Sequence, residues 1–116
     1  SVIMMKLGAL LVPVVDPEEN RFIANQARQL EVEGFQSLWS AQAIGCGFMM
    51  TDPFICLSTA AAVTENVALG PAVIQVPLYH PIDLAHRIFS LQQVCGKRLV
   101  VGLRPGSTAQ DFDAFD

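Results

Sequence analysis

Charge is scarce in this 116-residue chain. Only 16% of its residues are Asp, Glu, Lys or Arg, against a usual ~25%, so little of its surface can be charged. Basic residues are the fewest, with seven Lys and Arg against eleven Asp and Glu and a net charge of −4. They form no stripe, so the electrostatic footprint of a nucleic-acid binder is missing. Long apolar runs are missing too. A membrane-spanning helix needs ~18 or more apolar residues, and no such run exists. The uncharged stretch over residues 35–51 carries Gln, Ser and Gly throughout. Residues 1–5 are too short for the apolar core of a signal peptide. Met4 or Met5 is the expected start, with residues 1–4 added or disordered.

Side chains that hold metals or run nucleophilic chemistry are also thin. Cys46, Cys56 and Cys95 are odd in number and have no CxxC spacing. That argues against a zinc site and for reduced thiols in the cytoplasm. His80 and His86 stand six apart, on different faces of any helix, and form no metal pair. Neither GxGxxG nor a Walker A sequence is present, and no Ser/His/Asp arrangement is legible.

Apolar residues, by contrast, make up 52% of the chain. Such a chain, without a membrane span, is expected to bury surface against another chain or a larger body. Four apolar runs read as strands, at residues 7–12, 37–40, 67–76 and 99–103. Their starts recur at about thirty residues, the length of one strand-plus-helix unit. Three of the runs are apolar on consecutive positions, which suits strands buried on both faces of a parallel sheet.

Helix signals fill the gaps. Asp16-Pro17-Glu18-Glu19 offers an N-cap, Pro at the first helical position and Glu three residues after the cap. Gly34 is the expected stop. Asp52-Pro53 repeats the start, and Ala60-Ala61-Ala62 makes a helix that allows close approach. His80-Pro81 opens the third helix and Gly96 ends it. The order β-α-β-α-β-α-β calls for parallel strands joined by crossover helices. Four such strands leave two open apolar edges, which invite pairing.

In α/β folds the loops after the strands' C-terminal ends form the site. Gln42 follows the second strand and can hydrogen-bond a planar heterocycle or local backbone. Trp39 is expected in the core. Cys46 has no basic neighbour in sequence to activate it. His80 is a candidate general base, and its place before Pro81 equally suits a helix cap. Arg104, followed by Pro105-Gly106-Ser107-Thr108, offers a guanidinium fork, hydroxyls and turn amides for a phosphate. A solvated loop is the plain alternative there. Asp16, Glu18 and Glu19 are accounted for by capping.

An ordered series of segments carries a family resemblance. It runs through residues 27–39, Asp52-Pro53, Ala60-Ala61-Ala62-Val63-Thr64, Leu69-Gly70-Pro71-Ala72-Val73, residues 80–85 and residues 96–102. The series resembles the N-terminal part of the bacterial-luciferase-like flavin-dependent monooxygenases and their F420-dependent relatives. The resemblance implies a partial (β/α)8 TIM barrel, with about four parallel strands and three crossover helices. Residues 1–116 would then be a single domain, the N-terminal half of the barrel. It also implies a non-proline cis peptide at Ala72–Val73. Ala72, Val73 and Ile74 would line a flavin ring, with Gln42 nearby and Arg104 and Ser107 towards its phosphate. The cofactor would be FMN, or coenzyme F420 in the alternative, and no metal is implied.

The implied function is oxidation of a small organic substrate with reduced flavin and O2. Members also dimerise through early helices, so a homodimer through helices and open sheet edges is expected. Two departures stand out. Many members carry a His after the second strand, where Gln42-Ala43 stands here. A complete barrel also needs ~250 residues. The alternatives are a truncated, non-catalytic half-barrel, serving as pseudo-enzyme or dimerisation module, and an F420-dependent oxidoreductase. A flavodoxin-like sheet would need a Ser/Thr-rich loop after the first strand, and Pro13-Val14-Val15-Asp16 is not one.

Overall fold

The computed structural model describes residues 6–12, 20–45, 47 and 49–104, the last by its backbone. Three helices with distinct ends set the frame. Helix α1, Phe22–Val32, follows Arg21, which makes no side-chain cap bond. The Asp16 start expected for it lies outside the described residues. Its end is as expected. Gly34 has φ 97°, and its N–H donates to the Glu31 carbonyl at 3.1 Å while that of Phe35 donates to Leu30 at 3.1 Å. Only glycine enters that left-handed conformation without strain, and the paired bonds satisfy the last carbonyls.

Helix α2, Pro53–Val63, is capped by Asp52, whose Oδ2 accepts from the Ile55 N–H at 3.1 Å. Pro53 costs α2 no hydrogen bond, because first-turn N–H groups have no intrahelical partner. Helix α3, Pro81–Cys95, is capped by His80, whose Nδ1 accepts from the Ile82 N–H at 3.2 Å. Gly96 closes it at φ 61°.

Strands β1, Gly8–Leu10, and β2, Ser37–Ser40, are parallel, with Leu10 opposite Trp39. Strand β3, Ala68–Pro71, pairs on the other side of β2, with Ser40 opposite Pro71. The expected run 67–76 is not one strand. It breaks at Ala72 and Val73 and resumes as β4, Ile74–Gln75, before a 3-10 turn at Val76–Leu78. The fourth run is also interrupted. Leu99 bridges to Leu69, and β5, Leu103–Arg104, pairs with β4 in parallel. The strands thus neighbour one another in chain order, as in a barrel wall.

The core lies between one sheet face and the helices. Leu38, Leu57, Ala60 and Leu69 are fully enclosed there, with Ala27, Val67 and Leu91. Helix α2 sits between α1 and α3. Its short Ala60 and Ala61 side chains let both neighbours come close.

The expectation of strands buried on both faces holds for the third run, where Leu69, Gly70 and Pro71 are all buried, and is corrected for the first and fourth. On the second face Leu10 remains 46% exposed and Leu103 50% exposed. Consecutive apolar residues therefore serve two surfaces, and the described helices cover only one. Trp39 is corrected with them. Its half-buried indole lies on the open face, over Gly70 and against Gly8. Its Nε1–H donates to Ser37 Oγ at 3.0 Å. A Cβ on Gly70 would collide with the Val100 carbonyl and with the indole, 2.6 Å from Cζ3. Glycine there is a packing requirement.

Sequence reasoning missed a carboxylate clamp. Glu31, in the last turn of α1, accepts backbone N–H bonds from Glu65 and Val67 at 3.1 Å and from Asn66 at 2.9 Å. It ties α1 to the turn between α2 and β3. An acidic side chain at a helix C-terminus opposes the helix dipole, and that misfit was the available signal. Arg98 adds a second tie. Its guanidinium donates to Thr64 Oγ1 at 2.9 Å and to the Ala61 carbonyl at 3.0 Å.

Candidate functional site

All strands run the same way, so their C-terminal ends gather at one rim. The β2 end reaches the rim through Ser40, whose carbonyl accepts from the Ala72 N–H at 2.8 Å. That is the last backbone rung between the two strands. The next bond, Ala72–Val73, is a cis peptide between non-proline residues, as the resemblance implied. Ala72 is exposed and Val73 half-buried. Beyond the bond, the Ile74 N–H donates to the Gly102 carbonyl at 2.9 Å. A Cβ on Gly102 would lie 3.0 Å from both the Pro71 carbonyl and Val73 Cγ1. Glycine there leaves Val73 room beside the incoming strand.

The expected site residues separate into groups. Ala72 and Val73 present small side chains at the rim. Ile74 is fully enclosed, so only its backbone stands at the strand end. Gln42 lies beside them, with its carboxamide already engaged. Its Oε1 accepts from the Gln75 N–H at 2.8 Å, and its Nε2 donates to the Tyr79 hydroxyl at 2.6 Å. His80 is exposed and caps α3. Arg104 ends β5, while Ser107 and Cys46 lie outside the described residues. The strand-end position of Arg104 is therefore as expected, and its side chain is outside the description.

Tyr79 was also missed. Its ring meets Phe54 edge-on at 6.1 Å, and the Arg87 guanidinium sits 5.7 Å from its centroid. Burial pushes its phenol pKa up, and Asp52 and Asp83 act the same way, against the Gln42 hydrogen bond and Arg87. Arg87 itself bridges Asp83 at 3.1 Å. The loop after β2 folds over a small cleft of about 140 Å³, lined by Gln42, Ala43, Met49, Met50 and Asp52. A larger groove of about 440 Å³ runs outside, between α2 and α3, past Phe54, His86 and Val94.

Cys56 and Cys95 are buried and free, and burial raises both thiol pKa values. That leaves them poor nucleophiles. Among the described residues no three His, Cys, Asp or Glu side chains converge on a point, and no helix is long and apolar enough to cross a membrane.

A flat aromatic ring fits this rim. Small side chains at Ala72 and Val73 leave its face clear, and every described buried side-chain polar atom is already hydrogen-bonded. A ligand's polar groups would thus meet backbone groups and the loop after β2.

Comparison with known proteins agrees with this architecture. Residues 5–116 match the family model of the luciferase-like monooxygenases. The 4-hydroxyprotoasukamycin monooxygenase of Streptomyces nodosus subsp. asukaensis is 30% identical over 87 residues, 74% of this chain and 24% of that protein. The F420-dependent tetrahydromethanopterin reductase from Methanopyrus kandleri superposes with a TM-score of 0.73 at 26% identity, over 93% of this chain and 29% of that one. The oxygenating constituent of 3,6-diketocamphane monooxygenase from Pseudomonas putida, in complex with FMN, gives a TM-score of 0.80. At 20% identity, over 97% of this chain and 33% of that one, it shows likeness of fold. The chain spans a quarter to a third of the length of these relatives. Its strands and helices are the first units of a (β/α)8 barrel, and the chain belongs to the luciferase-like monooxygenase family.

Proposed function

We propose that this chain supplies the flavin-facing half of a luciferase-like oxidoreductase that oxidises a small organic substrate. The observation that carries the reading is the open, small-residue end of β3 in a chain of this family. Ala72 is exposed there, Val73 is half-buried, and the end of β2 at Ser40 and Gly102 before β5 adjoin them. When bound, reduced flavin supplies the electrons that activate O2 for transfer to the substrate. The chain's own residues bind, orient and exclude water. Ala72 and Val73 form a platform against which a flat ring can lie. Ile74 backs that platform from the enclosed side. Gln42 stands at its margin. Arg104 and Ser107 are assigned to the cofactor's phosphate.

FMN is the first choice of cofactor, because the FMN-bound neighbour shares the fold over 97% of this chain. F420 is the second, because the F420-dependent reductase is the relative of higher identity among these two structures. The absence of the His that many members carry, where Gln42-Ala43 stands here, bears on catalysis in either case. The described rim residues offer no general base, and His80 is occupied as a helix cap.

The reading includes a cytoplasmic protein that associates as a homodimer. Support comes from the exposed Ile82, Phe89 and Val94 on α3 and from the open face carrying Leu10 and Leu103. Titration of the purified protein with FMN and with F420, followed by flavin fluorescence and sedimentation, tests it. Saturable binding of one flavin by a dimer is the expected outcome. A colourless protein that ignores both would mean a non-catalytic half-barrel.

A further inference from the structure

We infer that Gln42 is a positioning residue, a side-chain rung that holds the segment after Ala72–Val73 against the β2 loop. The inference rests on the flavin reading for its consequence, and on backbone geometry for its substance.

Alternate N–H groups of a strand point to opposite neighbours. The Ile74 N–H points to β5, where the Gly102 carbonyl accepts it. The Gln75 N–H therefore points to the β2 side. There the backbone ladder has already ended, at the rung from Ala72 to Ser40. Gln42 supplies the next acceptor with its side chain, at 2.8 Å. Its carboxamide orientation is fixed by chemistry. A backbone N–H can only donate, so Oε1 must face Gln75 and Nε2 must face Tyr79.

Tyr79 makes the rung firm. Its hydroxyl receives Nε2 at 2.6 Å, and its ring is held by Phe54 and Arg87. The carboxamide is thus fixed at both ends. Gln42 spans from the β2 loop to the turn before α3 and sets where the platform of Ala72 and Val73 lies. With both ends engaged, its part is to place the chain that meets a ring, not to read the ring itself.

The test uses Gln42→Met, which matches the length and removes both bonds, and Gln42→Glu. In the Glu variant the carboxylate still accepts from Gln75, and the Tyr79 hydroxyl can turn to donate. Amide hydrogen exchange is read without flavin. Gln42→Met should speed exchange at Gln75 by about tenfold, the loss expected for one such bond. Amides in the middle of α2 should not change. Gln42→Glu should restore protection. If the Met variant fails to fold, Tyr79→Phe is read instead, and a smaller rise at Gln75 is expected. FMN affinity should weaken by a similar factor in Gln42→Met and recover in Gln42→Glu.

Unchanged Gln75 exchange in the Met or Phe variant overturns the inference. So does a shifted absorption spectrum of bound FMN with Gln75 protection intact, which would mean direct ring contact. If the parent protein binds neither FMN nor F420, the flavin reading falls, and the exchange result still decides the rung.

Discussion

Removing the Glu31 carboxylate should loosen the joint between α1 and the turn leading into β3. The carboxylate takes three backbone N–H groups, from Glu65, Asn66 and Val67. A hydrogen bond to a charged group contributes ~1.5–3 kcal/mol in a protected setting. Glu31 is only half-buried, and the freed N–H groups at exposed Glu65 and Asn66 can turn to water. Val67 is buried, so its N–H has the poorest alternative. Discounted for solvent, the clamp contributes about 2 kcal/mol, chiefly through Val67. At this chain length about 1 kcal/mol corresponds to ~4 °C in Tm. Glu31→Ala should therefore lower Tm by about 8 °C. Glu31→Gln keeps one acceptor oxygen and should lower it by about half as much.

The pH dependence follows from the same contacts. Burial pushes the Glu31 pKa up, but the N–H groups of Asn66, Glu65 and Val67, with Arg98, outweigh it. The folded value lies below the ordinary 4.5. A depressed carboxylate pKa gives stability that is whole above the unfolded value and lost as pH falls through the folded one. The gap between parent and Glu31→Ala should thus be full at neutral pH and close progressively below pH 4.5. Thermal melts by circular dichroism across that range provide the measurement. A gap under ~1 °C at neutral pH, or one that persists undiminished in acid, would refute the clamp.

Two further outcomes rest on packing. Gly70→Ala puts a methyl group against the Val100 carbonyl and the Trp39 ring. Overpacking of this kind costs ~1–3 kcal/mol, and the fluorescence of Trp39, the only Trp in the chain, should report the shift; an unchanged spectrum and Tm would contradict the contact. Cys56 and Cys95, buried with raised pKa values, should resist a thiol reagent in the native protein at mildly alkaline pH and react fully in denaturant. Rapid native labelling at either position would contradict their burial.

Much of the frame was legible locally. Asp52-Pro53 and His80-Pro81 start helices because cap and ring chemistry act over three or four residues. Gly34 and Gly96 end helices because only glycine takes those φ values cheaply. The thirty-residue recurrence marked the parallel strands, and all four runs contain strand or bridge residues. The candidate site was legible only in outline. Gln42 could be placed at a strand end, but not its partners, because Gln75 and Tyr79 lie 33 and 37 residues away. The clamp of Glu31 on Val67 spans 36 residues in the same way.

The sequence by itself determined the elements that short-range chemistry dictates: three helices, the N-caps of α2 and α3, the parallel strands between them, and the family. Tertiary structure decided which face of each strand is covered. An unbroken apolar run looks the same whether one side or both are buried, and here Leu10 and Trp39 occupy the side left open by the helices. It also decided what the polar residues at the rim do. A side chain's role depends on which donors and acceptors converge on it, and that is fixed only when distant loops meet.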